Sequence, residues 1–289
     1  MKARFDYIIL GGGLAGLAFA QKFKHLNPVI LESGYQFQNK HYRIYSHKKN
    51  ELTMEEPVPL TTKYHSGSGD FKAEYIKKVY NKDGAVELFT HKKKLDELYN
   101  YNLQAFYSDV NLYGNMEVER IDLNSKEITG KILHSNEKFL IEYGYLINTI
   151  PLHKFCKLVR YDLFQSYKIF IQYYPVGVKV LPNNQFHPEN EIILEYYSDP
   201  LIPFYRRHIE QNNIFYEYCI NKPMEESFTF IQKIGKFHKV EKEKMDKLFR
   251  QLNHYDAYMV GRFASWNPDF IIEHILNETD QQIKEFKRG

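Results

Sequence analysis

Three glycines near the start of the chain have the spacing of a phosphate-binding turn. Gly11, Gly13 and Gly16 fit the pattern G-x-G-x-x-G and follow an apolar run, residues 7–10. In such a turn Gly11 permits the tight bend, Gly13 lets the backbone approach a pyrophosphate, and Gly16 lets a helix pack against the strand. The N-terminus of that helix offers free N–H groups and a partial positive charge to the phosphates.

The elements that must position these glycines are also present in the sequence. Apolar residues at helical spacing follow the glycines and predict a helix that ends before Pro28. A second apolar strand then ends in Glu32, whose carboxylate can accept hydrogen bonds from ribose hydroxyls. Strand, turn, helix, strand and acid within about 30 residues favour a dinucleotide site over a glycine-rich turn without a ligand. The residues assigned to it are Gly11, Gly13, Leu14, Ala15, Gly16, Glu32 and Ser33.

Size and charge set broad limits on the protein. The 289 residues are 43% hydrophobic, which is enough for one large domain or two small ones. A net charge of +3, from 39 Lys+Arg and 36 Asp+Glu, does not by itself indicate nucleic-acid binding. Basic runs such as 92–94 are interpreted as solvated surface unless the fold gathers them on one face.

The cysteines and the apolar segments indicate the compartment. Cys156 and Cys219 lie far apart without metal-ligand spacing, so we expect buried thiols and no metal site. The sequence contains no run of about 18 apolar residues and no recognisable signal peptide. A soluble, cytoplasmic protein with no membrane partner is therefore expected.

The order of segments predicts the domain organisation. Residues 1–150 form the first part of a nucleotide-binding domain, 151–252 form a strand-rich substrate domain, and 253–289 return to the first domain. The polar connection 33–75 leaves the strand that carries Glu32 and can wrap toward the reactive end of a cofactor. Within it His65, followed by small residues, is the candidate catalytic residue; a surface or structural histidine is the alternative.

The pattern of apolar residues predicts further elements along the chain. Helices are predicted over 72–80, 94–107 and 241–252. Strands are predicted over 85–89, 117–122, 127–133, 139–143, 145–150, 168–174, 176–180, 191–197, 214–220, 228–231 and 260–261. The four strands between 117 and 150 describe a β-meander and a return strand.

Four segments together resemble one superfamily, which includes FAD-dependent amine oxidases, protoporphyrinogen oxidases and UDP-galactopyranose mutases. The segment 6–17 with Glu32 resembles the opening of these proteins, and 117–121 resembles the meander strand beside the adenine. The segment 145–151 resembles their second nucleotide strand, and 261–267 resembles their C-terminal flavin motif. The resemblance implies FAD as cofactor. It also implies further cofactor-binding residues, namely Arg43, Val118, Thr149, Gly261, Arg262, Ser265, Trp266 and Asn267. For Trp266 a core-filling role is the alternative.

The resemblance implies an α/β fold, with a Rossmann-like FAD-binding domain, an inserted β-meander and a small strand-rich substrate domain. Two segments are similar to the mutase branch. Residues 64–68, with His65, resemble its histidine loop near the flavin. Residues 202–206, followed by 216–217, resemble the segment whose arginine meets a diphosphate, which assigns Arg206, Tyr205 and Glu217 to the substrate. A surface ion pair is the alternative for Arg206, and the helical substrate domain of mutases has no room here.

Three functions are consistent with this resemblance. The first is an FAD-dependent oxidoreductase that oxidises a C–N bond of an amine by hydride transfer to the flavin. Its substrate could be an amine-bearing nucleotide, since small phage flavoproteins that modify amino-substituted thymidine in DNA are similar; DNA is a weakly supported partner. The second is a redox-neutral sugar-nucleotide isomerase of the mutase type. The third is a non-catalytic flavoprotein. The sequence leaves the oligomeric state open.

Overall fold

The computed structural model describes residues 1–34, 45–67, 69–80, 96–102, 106–107, 110–159, 171–184, 191–220, 227–237, 240–267, 270, 272 and 274–276. The chain divides into two compact units. Unit 1 comprises Met1–Asn39, Asn102–Ile171 and Lys239–Gly289; unit 2 comprises Lys40–Tyr101 and Gln172–His238. This division differs from the predicted domain boundaries, because 40–101 groups with 172–238.

The secondary structure is dominated by strands. In chain order they are β1 (Lys2–Leu10), β2 (Val29–Leu31), β3 (Tyr45–Ser46), β4 (Thr53–His65), β5 (Glu97–Tyr101), β6 (Asn111–Tyr113), β7 (Met116–Asp122), β8 (Glu127–Ile132), β9 (Lys138–Asn148), β10 (Tyr173–Pro182), β11 (Ile192–Tyr197), β12 (Arg206–Ile209), β13 (Asn213–Cys219), β14 (Phe230–Phe237) and β15 (Ala257–Met259). The helices are α1 (Leu14–Lys22), α2 (Phe71–Tyr80), α3 (Leu152–Val159) and α4 (Lys242–Asn253).

Unit 1 is built on a mixed sheet in the order β6-β2-β1-β9-β8-β7, with β15 also paired to β9. Strands β6, β2, β1, β9 and β15 run parallel, whereas β7, β8 and the first half of β9 form an antiparallel meander. Ile8 and Ile9 of β1 are completely buried, as expected for the centre of a parallel sheet. Since β2 and β9 flank β1 on opposite sides, the carboxyl end of β1 is the switch point where open α/β sheets bind ligands.

The predicted βαβ unit and β-meander are confirmed, with one change. The segments 139–143 and 145–150, predicted as separate strands, are joined in the single strand β9. Gly144 lies between them without a break, and a Cβ there would come 2.8 Å from the backbone oxygen of Asp6. The glycine therefore marks a close approach of β9 to β1 and not a turn. Helix α3 was not predicted.

Unit 2 is built on a second sheet, ordered β14-β10-β13-β12-β11-β4-β5-β3. Its strands pair antiparallel except for β4 and β11, which are parallel. Helix α2 covers one face of this sheet through Tyr75 and Val79, which join a cluster with Val176, Val178 and Tyr205. The α/β class with a strand-rich second part is confirmed.

One prediction for unit 2 is wrong. The predicted helix over 94–107 contains strand β5, where Leu98 packs with Val58 and Ile192. The connection 33–75, for which no strand was predicted, contains the long strand β4. Its prolines, Pro57 and Pro59, are tolerated because that half of β4 pairs with β5 alone, while the half from 60 to 65 pairs with β11.

Most of the remaining predicted elements agree with the structure where it describes them, but the strand predicted over 260–261 lies earlier, as β15 (Ala257–Met259). The helices predicted over 72–80 and 241–252 are confirmed as α2 and α4. The strands predicted in 191–197 and 214–220 are confirmed as β11 and β13. Strand β12 was not predicted, and the strand predicted over 85–89 lies outside the described residues. Among the described helices, none has the length and apolarity needed to cross a membrane.

The meander gives a first testable prediction at Gly130. A Cβ at Gly130 would lie 2.1 Å from the carbonyl oxygen of Glu117 and 2.6 Å from the ring of Phe139. Because overpacking a buried site costs about 1–3 kcal/mol, Gly130→Ala should lower the free energy of unfolding by about 2 kcal/mol in urea titrations. Lys131→Ala, which removes only surface ion pairs from the same strand, should lower it by less than about 1 kcal/mol. Equal losses in the two variants would contradict this account.

Candidate functional site

The carboxyl end of β1 turns sharply at Gly11. Its φ is 97°, a left-handed conformation that glycine adopts without strain, and its N–H donates to the backbone oxygen of Leu31 (2.9 Å). A Cβ at Gly11 would lie 2.8 Å from Cγ2 of Ile150. Both the backbone conformation and the packing of this turn therefore require glycine.

Gly16 and Gly13 differ in the space available for a side chain. A Cβ at Gly16 would lie 2.1 Å from the backbone oxygen of Gly11, so the packing of α1 against the turn leaves no room for a side chain. At Gly13 no atom lies within 4 Å of a Cβ. Gly13 is the N-cap of α1 and provides no side-chain cap, although serine or aspartate would stabilise that position. The protein's own packing does not account for Gly13, whereas a ligand at the helix N-terminus would.

Glu32 lies on the other side of the glycine turn. We call Gly11, Gly13, Gly16 and Glu32 together the glycine cradle. Its Oε2 accepts the N–H of Gly12 (2.7 Å), and its Oε1 accepts the N–H of Gly34 (2.7 Å) and the hydroxyl of Ser33 (3.2 Å). Its backbone oxygen accepts the N–H of Met116 at the start of the meander (2.8 Å). The carboxylate is thus held beside the glycine turn while its residue remains partly exposed. This placement suits an acceptor for ribose hydroxyls.

The segment predicted as the C-terminal flavin motif reaches α1. Gly261 has a φ of 90°, and a Cβ there would lie 2.6 Å from Cβ of Ala15. The backbone oxygen of Gly261 accepts both the N–H (2.9 Å) and the hydroxyl (2.8 Å) of Ser265, which closes a compact turn. Thr149, at the end of β9, donates its hydroxyl to the backbone oxygen of Leu10 (2.7 Å). The structure therefore brings Gly11, Ala15, Thr149 and Gly261 together.

The other predicted cofactor residues are less closely gathered. Val118 lies partly exposed in β7, beside a bulge in its pairing with β8. Arg262 is exposed, and its guanidinium lies 5.9 Å from the centre of the Phe263 ring. Trp266 is only 1% exposed with its ring edge toward His153, so its side chain fills the core of unit 1. Leu14 and Asn267 are partly exposed, while Arg43 lies outside the described residues.

The three predicted substrate residues meet in unit 2, where they bind one another. Glu217 is 2% exposed and accepts hydrogen bonds from Tyr205 and Arg206. Burial alone would raise the pKa of Glu217, but the charges of Arg206 and Lys236 and these hydrogen bonds lower it to about 2. Tyr205 belongs to the cluster under α2. Arg206 thus neutralises a buried carboxylate on the covered face of the sheet.

His65 lies at the end of β4 on a different network. Its ring stacks on Tyr197, with centroids 4.5 Å apart and planes 9° apart, and its Nε2 lies 3.7 Å from Oε1 of Glu195. Glu195 is buried and accepts hydrogen bonds from the Tyr197 hydroxyl (2.7 Å) and from Nε of Arg207 (2.5 Å). Burial opposes ionisation of Glu195, but these donors and the neighbouring cations hold its pKa below the usual value.

Sequence reasoning missed Glu195, Tyr197, Arg207 and Lys63. Their only local signal is alternation, since Glu195 and Tyr197 are two residues apart and must share a face of β11. The pairing that brings Arg207 and Lys63 beside Glu195 joins strands distant in sequence. Among the described residues, no group of three or more His, Cys, Asp and Glu side chains is arranged to hold a metal ion.

The sheet order and the glycine cradle define a Rossmann-like fold with an inserted meander, of the type found in FAD-binding proteins. Two solved structures share this fold. One is the crystal structure of reduced UDP-galactopyranose mutase, with a TM-score of 0.68 and 13% identity over 96% of this chain and 94% of that chain. The other is the CLA-producing fatty acid isomerase from P. acnes, with a TM-score of 0.57 and 12% identity over 96% of this chain and 98% of that chain. No protein-family model and no curated protein matches the sequence. At these sequence identities, the similarity shows a shared fold and nothing more.

The buried carboxylate of Glu217 gives a prediction about acid stability. Its pKa is about 2 in the folded protein against a usual 4.5, so ionisation stabilises the fold above pH 4.5 and this contribution disappears as the pH falls toward 2. The difference corresponds to about 3 kcal/mol. In urea titrations, Glu217→Gln should therefore be less stable than wild type at pH 7 and approach it between pH 4.5 and 2.

A surface glutamate provides the control for this pH series. Glu55 pairs with Lys49 where both side chains are more than half exposed, so Glu55→Gln should change the free energy of unfolding by less than about 1 kcal/mol. A stability difference between Glu217→Gln and wild type that stays constant from pH 7 to pH 2 would contradict the assignment.

Proposed function

We propose that the protein is a flavoenzyme that binds FAD at the glycine cradle of unit 1. The observation that supports this most strongly is Gly13, whose open position at the N-terminus of α1 fits a pyrophosphate and has no packing reason of its own. The shared fold with UDP-galactopyranose mutase agrees with this proposal.

Each cradle residue has a separate task in this proposal. The N–H groups at the start of α1 hold the pyrophosphate, and Gly16 allows α1 to approach the turn that carries them. Glu32 accepts the ribose hydroxyls. The turn at Gly261 places backbone beside Ala15, where a cofactor bound along α1 would continue. A bound FAD supplies the acceptor or donor of a hydride; the protein binds and orients it.

The first candidate reaction is the oxidation of a C–N bond in an amine substrate, with FAD as the hydride acceptor. A catalytic base is optional for a neutral amine, which fits a site where His65 is the single proposed catalytic residue. The ring of His65 is held by its stack on Tyr197 while 43% of its side chain remains exposed. Oxidation of an amine-bearing nucleotide in DNA belongs to this candidate and requires DNA binding that weakens with salt.

The second candidate is a redox-neutral isomerase of a sugar nucleotide. The observation that favours it is the fold shared with UDP-galactopyranose mutase, which extends over nearly the full length of both chains. Arg206, which the sequence assigned to a diphosphate, supports this candidate less well, because it binds the buried Glu217. A substrate phosphate would need another partner.

Gly13→Asp tests cofactor binding. A carboxylate at this open position would repel a pyrophosphate without disturbing the packing, so the variant should fold but remain colourless where wild type is yellow. A ligand at 100 times its dissociation constant stabilises by about 2.7 kcal/mol, so Gly13→Asp should melt below FAD-saturated wild type. Because aspartate caps a helix better than glycine, the variant should melt no lower than wild type stripped of flavin. A yellow variant with unchanged melting would overturn the proposal.

An anaerobic titration of FAD-loaded protein separates the two reactions. We expect an amine substrate, free or carried on DNA, to bleach the visible flavin band as hydride transfer proceeds. If amines leave the band unchanged and a sugar nucleotide turns over only after reduction with dithionite, the isomerase replaces the oxidase. Loss of both responses, with flavin still bound, would indicate a non-catalytic flavoprotein.

A further inference from the structure

The face of the unit 2 sheet opposite α2 carries a row of polar side chains, most of them charged. In the strand pairing, Glu195 of β11 lies between Lys63 of β4 and Arg207 of β12, and Arg207 is paired in turn with Tyr216 of β13. Tyr216 is paired with Lys179 of β10, the neighbour of Val178, which lies in the cluster under α2. Because successive side chains of a strand point to opposite faces, this row lies on the face opposite α2.

Three basic groups surround the single carboxylate of Glu195. Its Oε1 lies 4.0 Å from Nζ of Lys63 and 3.7 Å from Nε2 of His65, and its Oε2 accepts the hydrogen bond from Arg207. Two permanent cations against one carboxylate leave a net charge of +1.

The carboxylate and the basic groups differ in how deeply they are buried. The side chain of Glu195 is 5% exposed, whereas those of Lys63, His65 and Arg207 are 50%, 43% and 30% exposed. The negative charge therefore lies beneath the surface, and the three cationic or protonatable groups reach solvent above it. Gathering like charges is unfavourable unless an anion joins them, and Glu195 fixes Arg207 in place for such an anion.

We propose that Lys63, His65 and Arg207 form a binding site for a phosphate dianion. Arginine and lysine are the side chains that proteins use for phosphate, and the guanidinium of Arg207 is already oriented by Glu195. The aromatic side chains of Tyr197, Phe204 and Tyr216 line the same face, with Phe204 edge-on to both tyrosines at 4.9 Å. The phosphate belongs to a nucleotide-type substrate, an identification that rests on the proposed function; the anion site itself does not.

Calorimetric titration with inorganic pyrophosphate tests the site, using protein kept in excess FAD so that the glycine cradle is filled. Lys63→Met removes one charge from a half-exposed position and should weaken pyrophosphate binding about tenfold, the loss expected for one charge-assisted contact. Lys49→Met is the matched control, since Lys49 is 52% exposed and pairs with the single carboxylate of Glu55. It should leave the dissociation constant unchanged.

A variant that is expected to bind pyrophosphate more tightly gives a second test. Glu195→Gln removes the negative charge beneath the site, while its amide oxygen can still accept the hydrogen bond that orients Arg207. It should therefore tighten pyrophosphate binding, provided that its melting shows a folded protein. Absent pyrophosphate binding, equal effects of Lys63→Met and Lys49→Met, or weaker binding by folded Glu195→Gln would each overturn the proposal.

The same Lys63→Met variant identifies the source of the phosphate. A parallel loss of affinity for a single-stranded oligonucleotide would indicate a nucleic-acid strand, whereas a loss for pyrophosphate alone would indicate a free nucleotide. If the protein binds no FAD, the proposed function fails, but the lysine variants still decide whether the anion site exists.

Discussion

The close contact between Gly16 and the backbone oxygen of Gly11 is the constraint on which unit 1 depends. It lets α1 start directly at the carboxyl end of β1, so that the first N–H groups of the helix face the switch point of the sheet. The same turn receives Thr149 from the end of β9, and α1 receives the turn at Gly261. Three segments far apart in sequence thus converge at contacts where Gly11, Gly16 and Gly261 have no room for a side chain. Gly13 differs, since its lack of a side chain serves no packing purpose.

Unit 2 buries a glutamate on each face of its sheet, and each glutamate is paired with an arginine. Strand β12 carries Arg206 and Arg207 in succession, and because their side chains point to opposite faces, each reaches a different buried glutamate. Under α2, Arg206 and Glu217 form a pair closed by Tyr205, which neutralises a carboxylate that would otherwise be costly to bury. On the other face, Arg207 and Glu195 have Lys63 and His65 beside them, and both of these side chains are about half exposed. Glu217 also has a second cation nearby, Lys236, so the two faces differ in the exposed lysine and histidine and not in the ion pair itself.

Much of unit 1 could be predicted because its signals are local. The glycines, the apolar strand before them and the acid at Glu32 lie within one βαβ unit, and the meander shows regular alternation. In unit 2 the decisive information is not local. Strand β12 is four residues long and polar, and β4 contains prolines that usually mark breaks. The environment of Glu195 depends on the pairing of β4, β11 and β12, which no residue in these strands reveals alone.

A shared fold does not define the substrate, since function depends on individual sites. The two neighbours described above make this point, because one is named for a sugar nucleotide and the other for a fatty acid. A fatty acid site would need an apolar surface around the chain. The face of unit 2 opposite α2 instead presents Lys63, His65 and Arg207 around a buried carboxylate. This charge distribution is the reason for proposing a phosphorylated substrate and not a lipid for this chain, even though both neighbours share its fold.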